Sequence, residues 1–168
     1  HISSNPTTYF GSSTEAVVKE FQTYYGLEVT GKVGQETLAK LDEILTSPLR
    51  NGERHESSIQ LKLDLSMLGY HVSDNPTTFY GSTTEAMVRD FQADHGLRVN
   101  GIADQVTLAK LEELVTKPMQ FGMRRSDVIT LKEDLEVAGF HISNNPTTYF
   151  GPSTEAVVKE FQTYYGLE

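Results

Sequence analysis

The 168-residue sequence contains no cysteine. Disulfide scaffolds, thiolate zinc sites and cysteine nucleophiles are therefore excluded, while the compartment stays open, because cytosolic and secreted chains alike can do without bridges. No apolar run approaches the length that spans a bilayer. The opening residues, His1-Ile2-Ser3-Ser4-Asn5, have neither the basic region nor the apolar stretch of a signal peptide. Clustered cations are scarce as well. The formal net charge is −9, and the only short basic cluster is Arg124-Arg125. That distribution suits neither the phosphate backbone of a nucleic acid nor an anionic membrane surface. Any carbohydrate partner would be held by shape and hydrogen bonding, not by bulk attraction. What remains, with 38% apolar and 22% charged residues, is an ordinary soluble composition, long enough to bury real cores.

The dominant feature is an internal repeat, which decides the fold before anything else. The stretch His1 to Gly11 recurs as His71 to Gly81 and again as His141 to Gly151, each time at an offset of 70 residues. Residues 1–28 and 141–168 differ only at Ser4 against Asn144 and Ser12 against Pro152. Thr37 to Leu41 matches Thr107 to Leu111, and Leu61-Lys62-Leu63-Asp64-Leu65 matches Leu131-Lys132-Glu133-Asp134-Leu135.

Each copy reads as three helices. The spacing of Leu61, Leu65 and Leu68 gives one apolar stripe on a helix from about Ser57 to Leu68, stopped by Gly69 and, in the next copy, Gly139. A second helix is predicted from Ser82 to His95, with Val88 and Phe91 apolar. Ser82 and Glu85, like Ser12 and Glu15, fit a capping box; Pro152 suits a first helical turn. Gly26, Gly96 and Gly166 end this helix. A third helix is predicted from Asp104 to Val115, with Pro48 and Pro118 just beyond its two copies. The Tyr70–Gly81 loop carries Asn-Pro-Thr-Thr turn chemistry, Val99-Asn100-Gly101 is a second tight turn, and no sheet is expected. The expected architecture is all-α: tandem modules of about 70 residues, one complete and two partial. The expected divisions are a partial repeat 1–46, a linker 47–56, a complete module 57–116, a linker 117–126 and a partial repeat 127–168. The linker residues Met119, Phe121 and Met123 are apolar, which predicts that they pack between modules.

The ordered series Leu61-x3-Leu65-x2-Leu68-Gly69-Tyr70, Tyr80-Gly81-x2-Thr84, Met87-Val88-Arg89-x-Phe91-Gln92-x3-Gly96-Leu97 and Asn100-Gly101-x5-Thr107-x3-Leu111 resembles the three-helix peptidoglycan-binding module attached to bacterial wall hydrolases and surface proteins. The resemblance covers the whole middle copy and parts of the outer two. The chain departs from the family's usual pattern at Asp64 and Asp134 in the first helix, and in the longer loop carrying Thr77-Thr78. The resemblance implies a non-catalytic, extracellular role at the cell wall, with peptidoglycan or an associated wall polymer as partner and no cofactor.

Several residues carry two readings. Asn75, Thr77 and Thr78 offer an amide and hydroxyls to a glycan or peptide, or simply shape the turn. Tyr80 offers a ring and a hydroxyl, or belongs to the core, as Phe10 and Phe150 in its place suggest. Gln92 bonds a ligand or a loop backbone. Arg89 meets a stem-peptide carboxylate or lies on a solvated helix face. His71 lacks the convergent partners that a metal requires, and no nucleophile stands beside a base. The apolar faces left by the incomplete copies, such as Val17, Val18, Phe21, Leu38 and Leu41, allow a second role, self-association by helix exchange.

Overall fold

A computed structural model describes residues 7–167; the first copy's His1 to Pro6 lie outside the described residues. The helices are α1 (Ser12–Tyr24), α2 (Gln35–Leu45), α3 (Ser57–Met67), α4 (Ser82–Asp94), α5 (Gln105–Thr116), α6 (Asp127–Val137) and α7 (Pro152–Tyr165). Among the described residues there are no strands beyond two isolated antiparallel bridges, Arg54 with Phe79 and Arg124 with Tyr149. The chain forms two compact units that divide between Ser47 and Pro48. The first holds α1 and α2. The second holds the complete middle module, α3 to α5, and the last copy, α6 and α7.

The glycine stops act as the sequence suggests. At the end of α3, Gly69 takes a φ of 98°, which L-residues avoid. This lets the Tyr70 N–H reach back to the Leu65 carbonyl at 2.9 Å, closing orphan acceptors of the last turn. Gly96 does the same for α4, where the Leu97 N–H meets the Gln92 carbonyl at 2.8 Å.

The starts of the second helices differ from expectation. Gly81, not Ser82, occupies the N-cap of α4, and Gly11 that of α1, with no side-chain cap at either. The capping box does not form. Ser82 is already the first helical residue, and Glu85 instead accepts from Arg89 and Asn51. Glycine stands at the cap for a packing reason, because its backbone there is extended. A Cβ on Gly81 would lie 3.0 Å from the Phe79 ring, and one on Gly151 2.8 Å from the Tyr149 ring. Helix α5 does carry a side-chain cap: Asp104 accepts from the Thr107 N–H at 2.9 Å.

The middle core gathers Leu61 and Leu65 from α3, Val88 and Phe91 from α4, and Leu111 from α5, together with Tyr80, Ala103 and Leu49. Leu49 comes from the segment expected as a linker. Its carbonyl accepts from Ala103 at 3.0 Å, so residues 48–56 are built into the middle module. In the last copy, Leu131, Leu135, Ala138, Val158 and Phe161 line an apolar groove of about 350 Å³. The equivalent middle positions, Leu61, Leu65, Leu68, Val88 and Phe91, belong to the core that Leu111 of α5 helps to close.

The junction between the middle and last copies is also made differently from expectation. Of the three apolar residues expected to pack there, Phe121 is 54% exposed, while Met119 and Met123 are half-buried. The packed residue is Arg125, which is buried. Its guanidinium donates to the carbonyls of Leu114 at 3.1 Å and Lys117 at 2.9 Å, at the C-terminal end of α5, and pairs with Asp127. It also reaches Met67 Sδ, and the Ser126 N–H donates to the Met67 carbonyl at 2.9 Å. An apolar side chain supplies no donor for these helix-end carbonyls; a planar fork of N–H groups does.

Candidate functional site

The loop before α4 is held from two sides. On one side, residues of the segment 52–55 pair with it. The Tyr80 N–H donates to the Glu53 carbonyl at 2.8 Å, the His55 N–H to Thr78 at 3.0 Å, and the Gly52 N–H to Tyr80 at 2.9 Å. On the other side, the buried Lys62 of α3 sends its ammonium to the carbonyls of Thr77 at 2.7 Å and Phe79 at 2.6 Å. Burial pushes the Lys62 amine below its ordinary range, since desolvation penalises the charged form. The last copy repeats the arrangement. Lys132 donates to Thr147 at 2.8 Å and Tyr149 at 2.7 Å, and the backbone pairs join Gly122, Met123 and Arg125 to Thr148 and Phe150.

This clamp presents a polar surface. Asn75 and Thr77 are exposed and Thr78 is half-buried. The Asn75 N–H donates to Ser73 Oγ, and Thr77 Oγ1 accepts from the Phe79 N–H, as in short side-chain turns. In the last copy, the equivalent Asn145 and Thr147, with Ser143, Tyr149, Ser153 and Lys132, line a cleft of about 310 Å³. A second hollow of about 360 Å³ adjoins it and shares Lys132 and Ser143.

Two expected site residues lie in the interior. Tyr80 is fully buried, and its hydroxyl donates to the Gly101 carbonyl at 2.8 Å; burial drives its phenol well above the ordinary range. Gln92 is fully buried too. Its amide nitrogen faces Asn100 Oδ1, the Ile102 carbonyl and Thr107 Oγ1 at 2.9 to 3.0 Å, while its oxygen accepts from the N–H groups of Asn100 and Gly101. Gln22 makes the corresponding set in the first unit, with Lys32, Thr37, Thr30 and Gly31. Neither Tyr80 nor Gln92 has a polar atom left for a ligand; they lock the turn before the third helix. Arg89 is engaged with Glu85 at 2.8 Å and points its remaining edge at Val99. That ion pair holds the Glu85 carboxyl below its ordinary range. The structure thus brings Asn75, Thr77 and Thr78 together and gives Arg89 to the turn.

Sequence reasoning missed Lys62 and Arg54, and took Phe79 only as one of the adjacent aromatics of the loop. Phe79 is 40% exposed, and the Arg54 guanidinium lies 4.9 Å from its ring centre; Arg124 lies 4.6 Å from Tyr149 in the same way. The signals were present: Lys62 recurs as Lys132 beside an apolar stripe, and the aromatic doublet recurs in every copy, with Tyr80 and Phe150 in the core of the middle and last ones. Among the described residues no three His, Asp or Glu side chains converge as a metal site, and no helix is long and apolar enough to cross a membrane.

A tandem three-helix module is the class that this fold and its repeated loops define. The peptidoglycan binding domain family matches residues 1–41, 54–111 and 124–168, and the chain belongs to that family. It is similar to the N-acetylmuramoyl-L-alanine amidase CwlM of Mycobacterium tuberculosis, 29% identical over 136 residues, which are 71% of this chain and 33% of the amidase. It is similar also to a probable CtpA-like serine protease of Staphylococcus epidermidis, 37% identical over 67 residues, which are 39% of this chain and 13% of the protease. The chain therefore spans a third or less of the curated relatives it matches.

Proposed function

We propose that this chain binds peptidoglycan at the bacterial cell wall, outside the cell and without catalysis, and so tethers a larger surface protein or wall hydrolase. The observation that carries this reading is the clamped Asn-Pro-Thr-Thr loop, held alike in the middle and last copies and lining a polar cleft in the last. A rigid loop offers its amide and hydroxyls without an ordering cost on binding. Tandem copies add avidity when two engage one polymer. The family membership and the kinship to a wall amidase support the same ligand class. The test is sedimentation with purified sacculi. Wild-type protein is expected in the pellet, and a variant with Asn75, Thr77, Asn145 and Thr147 all changed to Ala is expected in the supernatant with its helical content unchanged. Equal retention of the two removes these residues from the site.

The open groove on α6 and α7 favours a second reading, association between copies of the chain. A helix of the α5 kind fits the groove, and α2 of another molecule has the matching register. Sedimentation equilibrium decides it: mass rising with concentration supports exchange, and a constant monomer mass excludes it.

A further inference from the structure

Resting on the wall-binding reading, we propose that Arg54 and Arg124 are the anion contacts of the two sites, each taking a carboxylate or phosphodiester oxygen of the wall polymer. A protein of net charge −9 repels an anionic polymer, so binding one calls for cations that are local and free. Most basic side chains here are already committed. Arg89 is held by Glu85, Lys110 and Lys117 by Glu113, Arg125 by Asp127, and Lys62 and Lys132 by carbonyls. Arg54 and Arg124 are exposed and form no ion pair among the described residues.

Their positions are nevertheless fixed. Each sits in an antiparallel bridge with the aromatic residue under it, Arg54 with Phe79 and Arg124 with Tyr149. Each guanidinium rests over that ring, at 4.9 and 4.6 Å from its centre. The rings cannot slide inward, because they already lie against Gly81 and Gly151. Stacking on a ring occupies a guanidinium's face and leaves its N–H edge, the part that grips a carboxylate or phosphate with two parallel bonds. Tyr149 also lines the polar cleft that holds Asn145 and Thr147. A ligand lying in that cleft therefore passes beside the ring that carries Arg124. In the last copy the uncommitted cation, the ring and the polar loop adjoin one another, and the middle copy repeats the cation, the ring and the loop.

The test uses the full chain and two variants, Arg54→Gln with Arg124→Gln, and Arg54→Lys with Arg124→Lys. Urea midpoints are expected to match wild type, since both side chains are exposed. Wild-type retention on untreated sacculi is scored first; none at all overturns the wall-binding reading itself. Given retention, the Gln variant is expected to bind at least about tenfold more weakly and with a flatter salt dependence, as losing charge-assisted bonds implies, while the Lys variant recovers part of the loss. Gln-variant retention equal to wild type at every salt concentration overturns this inference and leaves the polar cleft standing. The ligand source follows from wild type on treated sacculi. Weakening after carboxyl amidation identifies peptide carboxylates, and weakening after acid removal of accessory polymers identifies phosphodiesters. If neither treatment weakens binding, an anion contact is ruled out.

Discussion

Lys62 places an ammonium group beside an apolar helix stripe, where desolvation works against it. Two carbonyls repay that cost by accepting from it, and the loop that carries Asn75 and Thr77 is fixed as a result. Replacing it with a side chain of similar reach, Lys62→Met, leaves both carbonyls without that donor. The expected loss is about 2 kcal/mol, because hydrogen bonds to a charged group are stronger than neutral ones; a urea titration measures it. Ser58 presents the opposite case. It is fully buried, its hydroxyl has no partner, and the equivalent residue in the last copy is the fully buried Val128. Ser58→Val is expected to stabilise the middle module by about 1 kcal/mol, since an unsatisfied hydroxyl disappears and the site already accommodates valine in its other copy. A higher urea midpoint at unchanged slope is the expected readout. At this scale the sequence is least legible. A lysine next to an apolar stripe reads as a solvated edge, and the doublet Phe79-Tyr80 reveals its inward ring only indirectly, through Phe10 and Phe150 in the place of Tyr80, and not what turns it inward. That depends on the alternation imposed by the short pairing with residues 52–55.

The helices were more legible, because glycine at their ends and leucine spacing along them answer to strong local rules. Predicted limits for α3, α4 and α5 differ from the observed ones by a residue or so. The misread start of α4 has a specific origin. Serine and glutamate three residues apart satisfy a capping box, yet they also occur one position further into a helix. At Gly81, the N-cap that forms, the ring of Phe79 claims the space that a side chain would fill. The third helices show what a real cap contributes. Asp104 caps α5, while the equivalent residue before α2 is Gly34, with no side-chain cap. A Cβ at Gly34 meets nothing within 4 Å, and its φ of −95° suits any residue. Gly34→Asp is therefore expected to stabilise the first unit by a few tenths to about 1 kcal/mol. Slower amide exchange along α2, with α5 unchanged, is the measurement.

Across the whole molecule, the repeat made the fold class readable, and the short connections were where the reading failed. Residues 47–56 and 117–126 have linker composition, with Pro48, Gly52, Pro118 and Gly122. Backbone pairing over so few residues leaves no periodic trace. Arg125 looked like half of a basic pair, but it joins the last copy to the middle one. Arg125→Ala is expected to cost about 2 to 3 kcal/mol in that coupling, because helix-end carbonyls and Asp127 lose a buried partner. Hydrogen exchange is expected to quicken along α6 and α7 while α3 to α5 keep their protection; uniform quickening would mean that the middle module itself depends on Arg125. The two buried clamps have one more consequence. Lysine acylation requires an accessible, uncharged amine, and trypsin requires an accessible basic side chain. In the folded chain, Lys62 and Lys132 are hidden from both while surface lysines such as Lys19 and Lys159 are open to them. Acetyl groups found at Lys62 or Lys132 therefore mark molecules whose Asn-Pro-Thr-Thr loop has come away, copy by copy, and a mass spectrum of the labelled chain becomes a record of which loop had opened.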